Sequence, residues 1–224
     1  LSNSGQLEVV MPNYHYEYVP DFTYEEVAGR IEKMELEMDF ELNDRVFSFI
    51  QYFTVRNRNY LKMVLARKEQ YFPMYEETMK DYGMPVEIQH LSIIESGLDP
   101  KIKSHMGAMG LWQFMPATAK EIGMEVNDCV DERYHLEKST EAACKFLLAA
   151  KEKFGSWTLA AASYNGGITG VNKQIDLQKV SNYYDLLLNE ETSRYVFRIL
   201  ALKEIMKAPE KFGFAVPKLD LYEL

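Results

Sequence analysis

A carboxylate falls where the sequence pattern asks for an apolar residue. The run from Pro85 to Gly97 reads as a helix: Pro85 suits a first turn, where its missing N–H has no partner, Glu87 lies near the positive end, and Gly97 stops it. Ile88, Leu91 and Glu95 then fall at i, i+3 and i+7, so Glu95 shares the stripe that faces the core. A buried carboxylate is costly unless it is paired, protonated or used, and a carboxyl held protonated by burial is a general acid. The plain alternative is a half-solvated helix-end carboxylate bonded to a backbone N–H. The residues beyond Glu95 argue against it. The run ESGLDPKIKSHMGAMGLWQFMP brings Gly97, Gly107 and Gly110 together with Trp112, Gln113 and Met115, punctuated by Pro100 and Pro116. Such a loop suits close approach of backbone to a polar ligand such as a sugar.

Other residues that could do chemistry are placed by their context. Tyr164 and Asn165 end the run WTLAAASYNGG, where side chains can turn into a cleft. Tyr195 shares a helix face with Ile199 and Leu202. Asp131, Glu132 and Arg133 read as an ion pair that fixes an irregular loop over 124–138. The four histidines, at 15, 90, 105 and 135, never come at ligand spacing with carboxylates, so no metal site is expected. Cys129 and Cys144 have neither metal nor redox spacing; they read as free thiols, which an oxidising envelope would permit to bridge.

The elements that must position these residues are helical throughout. An extended Tyr- and Pro-rich arm over 1–22 precedes a helix capped by Thr23, with Val27, Ile31 and Met34 at helical spacing. A second helix starts after Asn43 and runs through Val46, Phe47, Ile50 and Phe53, and a third covers 57–71 through Tyr60, Leu61, Val64, Leu65 and Lys68. These three carry no visible chemistry, and Arg56, Arg58, Arg67 and Lys68 read as a solvated face. Pro73 opens another helix that ends near Gly83. Beyond the glycine loop come a short helix over 117–122, a helix capped by Ser139 and ended by Gly155, a loop over 172–188, and a last helix over 190–206 stopped before Pro209. The alternating LDLYEL of the tail suits a short strand.

Composition narrows the partners. With 224 residues and 47% hydrophobic content, the chain can bury one sizeable core. A net charge of −9 argues against nucleic acid, and equally against electrostatic capture of an anionic polymer. Binding to such a polymer has to rest on hydrogen bonds and ring stacking, for which 15 Tyr, 12 Phe and 2 Trp are ample. No apolar run reaches membrane-spanning length. The chain begins at Leu1 without Met or a signal peptide, which suits a processed or truncated protein.

Four runs, in order, carry a family resemblance: ESGLDP at 95–100, SHMGAMGLWQFMP at 104–116, ASYNGG at 162–167 and ETSRYV at 191–196. In them the chain resembles the lysozyme-like catalytic domain of the bacterial lytic transglycosylases, in particular the membrane-bound D-type branch. The resemblance implies an all-α, lysozyme-like domain over 68–207, an N-terminal arm and helical extension over 1–67 packed on it, and a tail over 208–224. It implies cleavage of the β-1,4 bond between N-acetylmuramic acid and N-acetylglucosamine in peptidoglycan strands. Ordinary glycosidases use two carboxylates, but only Glu95 has the right setting, since Asp99 in its L-D-P turn is better explained as bonding its own backbone. In the family one acid suffices: Glu95 protonates the leaving oxygen, then accepts the proton of the muramic C6 hydroxyl as it closes a 1,6-anhydro ring. No metal or other cofactor is implied.

Residue by residue, the resemblance implies that Ser104 and Gln113 hold the sugar's polar groups and that Met115 lines the cleft. Trp112 stands where many relatives have Met, which leaves its cleft contact open. Tyr164 matches the tyrosine whose hydroxyl lies near the acid, Asn165 its neighbour, and Glu191 and Tyr195 the Glu and Tyr of the last motif. C-terminal peptidoglycan-binding repeats, frequent in this branch, do not occur before Leu224. The family context implies a periplasmic monomer at the bacterial cell envelope, anchored through a missing N-terminal segment. Two alternatives stay open: a lysozyme-type muramidase with water as nucleophile, and a catalytically silent glycan-binding domain. A second carboxylate facing Glu95 would favour the muramidase, with Asp128, Asp131 and Glu132 as candidates.

Overall fold

The computed structural model describes residues 18–214. The arm therefore lies outside the described residues except for 18–22, which have no regular structure, and the LDLYEL run and His15 lie outside them altogether.

Local chemistry sets the first elements. Thr23 caps α1 (Tyr24–Ile31) in a full capping box with Glu26, and Val27 and Ile31 bury its apolar edge. The helix ends there, so Met34 lies past it in a turn rather than on its face. Asn43 caps α2 (Asp44–Gln51) by accepting from the backbone N–H groups of Arg45 and Val46. The chain then runs through a π-helical stretch, Tyr52–Arg56.

What reads as two helices broken at Pro73 is one, α3 (Arg58–Asp81). Proline removes one ladder bond and costs about 3 kcal/mol in a helix interior. The buried stripe nevertheless continues across it, from Leu61, Val64 and Leu65 to Tyr71, Tyr75 and Met79, and side chains of that size contribute about 1.5–3 kcal/mol each on burial. Packing outweighs the break, and α3 runs without interruption across position 67, where the sequence reading divides the chain.

Two of the arginines expected on a solvated face have structural duties. Arg58 is buried; it donates to the carbonyls of Thr54, Phe212 and Gly213 at 3.0, 2.8 and 2.6 Å, and lies 3.9 Å over the Phe214 ring. Arg67 donates to the Gly97 carbonyl at 3.0 Å.

A 3-10 turn over Val86–Gln89 leads into α4 (His90–Ser96), and α5 (Pro116–Glu121) comes after the glycine loop. The next helix, α6 (Leu136–Phe154), starts earlier than Ser139 suggests. His135 is its cap, and Ser139 is buried inside it with its hydroxyl on the Leu136 carbonyl. After α7 (Trp157–Gly166), Gly167 at φ +75° turns the chain into α8 (Ile168–Gln178), where a loop was expected. The stripe Ile168, Val171, Ile175 explains it: three apolar residues at i, i+3 and i+7 are enough to seat a helix among polar neighbours.

The last helix, α9 (Glu190–Lys207), is the centre of the molecule, packed by α2, α4 and α7, and most of its residues from Tyr195 to Met206 are buried. A 3-10 turn over Pro209–Phe212 folds the chain back on itself. Gly213, at φ +72°, lies so close to the first described residues that an added Cβ would meet Pro20 Cδ at 2.6 Å and the Tyr18 carbonyl at 2.8 Å. The architecture is all-α. Among the described residues there is no strand, only isolated bridges such as Lys103 with Met109, and no helix is long and apolar enough to cross a membrane.

Candidate active site

The expected stripe forms across the 3-10 turn and α4: Ile88 in the turn and Leu91 on the helix are fully buried, and Glu95, the last residue but one of α4, is half-buried beside them. Gly97 and Leu98, both left-handed at φ +61° and +59°, swing the chain out of the helix into the glycine loop. Gly97 is required twice over, because a Cβ there would also meet the Tyr60 ring at 2.9 Å. Asp99 accepts from the Lys101 N–H at 2.9 Å, the local turn that its sequence context predicts.

Glu95 meets α9. The Tyr195 hydroxyl, on a ring 1% exposed, donates to Glu95 Oε1 at 2.5 Å. Burial pushes the Glu95 carboxyl up to about 7; the Tyr195 hydrogen bond opposes that shift, the nearby Glu191 charge adds to it, and Arg198 opposes it. Glu191 is in turn gripped by Arg198, Nη1 to Oε1 at 2.6 Å and Nη2 to Oε2 at 3.3 Å. The carboxylate that acts on Glu95 is thus Glu191, whereas Asp131 and Glu132 are bound up in the 124–138 loop. Arg198 was missed in the sequence; its signal is the seven-residue step from Glu191, two turns along one helix face.

The glycine loop is held from behind. Arg133, 3% exposed, donates through Nη1 to the carbonyls of Gly107 and Phe114 at 2.8 and 3.0 Å, and through Nε and Nη2 to both carboxylate oxygens of Asp131 at 2.8 and 2.7 Å. That pairing holds the Asp131 carboxyl below its ordinary range. The Asp131–Arg133 motif is the ion pair expected, and its further task is to brace the loop. At Gly110, φ +77°, an added Cβ would sit 2.1 Å from the Arg133 carbonyl.

Within this frame the remaining predicted residues take different places. Ser104 closes the loop tip, its Oγ accepting from the Ala108 N–H at 3.0 Å. Gln113, left-handed at φ +51°, spends both amide hydrogens on the loop itself, at the carbonyls of Ile102 (3.2 Å) and Gly110 (2.9 Å). Met115 is exposed at the loop's exit. Trp112 faces the core and not a ligand: it is fully buried, with Nε1 donating to Thr140 Oγ1 at 2.9 Å and its ring 5.2 Å from that of Tyr75.

Tyr164 donates its hydroxyl to the Trp112 carbonyl at 2.7 Å, tying α7 to the loop. Burial, then the Glu95 charge, raises its hydroxyl well above the usual range, so it neighbours the carboxyl electrostatically while bonding elsewhere. Asn165 Oδ1 accepts from the Thr192 hydroxyl at 2.8 Å and joins the end of α7 to the start of α9. The structure therefore brings Glu95, Tyr195 and Glu191 into one cluster with Tyr164 alongside; Ser104, Gln113 and Met115 shape the loop beyond it.

Cys129 is exposed and Cys144 buried, its thiol pushed up to about 12 by desolvation; both are free. Among the described residues no three His, Cys, Asp or Glu side chains are grouped to hold a metal. Chemically, the cluster is a carboxyl that carries its proton near neutral pH, beside a hydroxyl donor that steadies it once the proton has left.

The transglycosylase SLT domain family matches residues 72–187, a span that includes Glu95, the glycine loop and Tyr164. Membrane-bound lytic murein transglycosylase D of Escherichia coli (strain K12) is 34% identical over 191 residues, 83% of this chain and 42% of the relative. Membrane-bound lytic murein transglycosylase C of Actinobacillus pleuropneumoniae serotype 5b is 27% identical over 183 residues, 68% of this chain and 49% of the relative. Peptidoglycan transglycosylase gp16 of Escherichia phage T7 is 33% identical over 132 residues, 55% of this chain and 10% of the relative. The chain spans less than half the length of each of these relatives.

Proposed function

The chain belongs to the transglycosylase SLT domain family, on its membrane-bound D-type branch, and from that premise we propose that it is a lytic transglycosylase of peptidoglycan. The observation that carries the reading is Glu95: a half-buried carboxyl raised to about 7, in contact with the Tyr195 hydroxyl, next to a glycine-built loop. Glu95 gives its proton to the glycosidic oxygen between N-acetylmuramic acid and N-acetylglucosamine as the bond to C1 breaks. The carboxylate so formed accepts the proton of the muramic C6 hydroxyl while that oxygen bonds to C1. One proton leaves Glu95 and one returns, and the ring closes without water.

Tyr195 steadies the carboxylate between the two transfers. Tyr164, by holding the Trp112 carbonyl, keeps the loop wall at its distance from Glu95, and Ser104, Gln113, Met115 and Asn165 line the path of the strand. Glu191, engaged by Arg198, tunes the acid rather than activating water, and Asp131 and Glu132 are taken up by Arg133 and by Lys138 with the Glu125 N–H. The intramolecular hydroxyl then has the advantage of proximity. Residues 68–207 carry this chemistry and the preceding helices brace it; because one chain supplies the whole cluster, it acts as a monomer, on glycan strands in the bacterial envelope.

Mass analysis of fragments released from purified peptidoglycan tests the proposal. Ends in 1,6-anhydromuramic acid, one water lighter than hydrolysis products, are expected; reducing ends would assign a muramidase, and intact strands a binding domain.

A further inference from the structure

Glu95 is carried by a short helix. α4 has only 7 residues, too few to be stable alone, and the carbonyls of its last turn lack helical partners. Two carbonyls that bracket Glu95 are engaged from α3. The Tyr60 hydroxyl donates to the Ile93 carbonyl at 2.8 Å, an oxygen that the Gly97 N–H also reaches at 2.9 Å, and Arg67 Nη1 donates to the Gly97 carbonyl at 3.0 Å. Arg67 Nη2 lies 3.8 Å from Asp99 Oδ2, in the turn that follows. Tyr60 and Arg67 fall at i and i+7, so they share one face of α3, and both precede the matched span of 72–187.

The grip is close and comes from a rigid element. The Tyr60 ring leaves no room for a side chain at Gly97, where a Cβ would meet its Cε2 at 2.9 Å and its hydroxyl oxygen at 3.1 Å. Burial pushes the Tyr60 hydroxyl up to about 12, so it remains a neutral donor throughout the range in which Glu95 titrates. α3 is itself seated in the core by Leu61, Val64 and Leu65. Because both α3 bonds are to backbone, two residues before Glu95 and two after, they set where its side chain begins. Tyr195 sets where the carboxyl ends.

We propose that Tyr60 and Arg67 are positioning residues for the acid: from the N-terminal helical extension they fix the turn that carries Glu95, so that one carboxyl is in place both to give a proton and to take one back. The inference rests on the transglycosylase reading of Glu95 and extends it to side chains that act through backbone. Loosening the turn displaces the carboxyl from the reacting oxygens, which slows the chemical step. It also admits water to the carboxyl and relieves the burial that holds its proton. The ionisable groups facing Glu95 are Tyr195, Glu191 and Arg198 of α9 and Tyr164 of α7, with Arg67 of α3 at the same turn. Tyr60→Phe changes none of those charges, so a shift in the Glu95 titration in that variant reports placement and hydration.

The test compares the full chain with Tyr60→Phe, Arg67→Met and Arg67→Lys, each checked by a melting curve, in steady-state cleavage of solubilised peptidoglycan strands. An isotope-edited NMR titration of the glutamate carboxyls, with the Glu95 signal assigned from Glu95→Gln, is run on the parent and on Tyr60→Phe without substrate. Tyr60→Phe keeps the ring under Gly97; kcat is expected to fall by about tenfold with KM little changed, the signature of a misplaced catalytic group. Its alkaline limb and the Glu95 titration should both move to lower pH, opposite in sense to the loss of the Tyr195 hydroxyl. Arg67→Met should lose a similar factor, and Arg67→Lys, which can still donate to the Gly97 carbonyl, should recover most of it. A folded Tyr60→Phe with the parent's kcat and the parent's Glu95 titration overturns the proposal, even if its melting point is lower. A parent that leaves the strands intact overturns the transglycosylase reading instead, and the titration then still decides whether Tyr60 positions Glu95.

Discussion

At the scale of single residues, the controlling fact is that Glu95 holds a proton near neutral pH because burial penalises its charge more than the Tyr195 hydroxyl relieves it. On the proposed chemistry the rate falls as pH rises through about 7, because the acid form is lost. Removing the Tyr195 hydroxyl withdraws a bond that favours the carboxylate, so Tyr195→Phe should lower turnover and move that limb to higher pH; a pH–rate profile of both proteins checks the direction. Linkage gives a readout without substrate. The carboxyl rises from 4.5 to about 7 on folding, so its contribution is fully present below 4.5 and lost as pH climbs through 7, by about 3 kcal/mol at most. Glu95→Gln does not titrate, so its urea stability should gain on the parent across that window while cleavage falls by orders of magnitude. Glu95 and Tyr195 were legible because each is a polar group at an apolar helical position. Arg198 was not: an arginine two turns from a glutamate along one helix face looks like any solvated pair until the fold sets a second carboxyl, Glu95, beside them.

At the scale of elements, the glycine loop is rigid through its attachments rather than its own ladder. Gly110 and Gly107 both have positive φ, but only Gly110 abuts backbone, the Arg133 carbonyl at 2.1 Å, whereas Gly107 faces open space. Gly107→Ala should therefore cost only about 1–2 kcal/mol, the backbone penalty alone. Gly110→Ala must also displace the Arg133 strut and should cost clearly more and abolish cleavage; thermal melts of the pair measure the difference. Turn chemistry was readable wherever a single residue decides it, as at Thr23, Asn43, Gly97 and Gly155. It misled where packing outvotes the local signal. Pro73 sits inside α3 because apolar residues are buried on both sides of it, Ser139 is a core hydroxyl rather than a cap, and 168–178 is helical through three apolar residues that alternate with polar ones.

At the scale of the whole molecule, α9 is the shaft on which α2, α4 and α7 are mounted, so the acid on α4 and the hydroxyl on α9 keep their distance only if the remaining helices keep theirs. Helical periodicity in the sequence was enough for an all-α class and a single core. It could not say which helices touch, since ring and guanidinium contacts such as Arg58 with Phe214 join residues far apart in the chain. That same clamp brings the first and last described segments together, Gly213 against Tyr18 and Pro20. Over residues 18–214 the path is thus almost a closed loop, and its order of elements is one of several that the same contacts would support. A circular permutant of residues 18–214 that links residue 214 to residue 18 through a short Gly-Ser bridge, and opens instead between the partly buried Val180 and the exposed Ser181, should refold to the same helical circular-dichroism spectrum and retain cleavage. In it α9 would be synthesised ahead of the helices that mount on it, so comparing refolding rates of the two chain orders would show whether the shaft has to be made last.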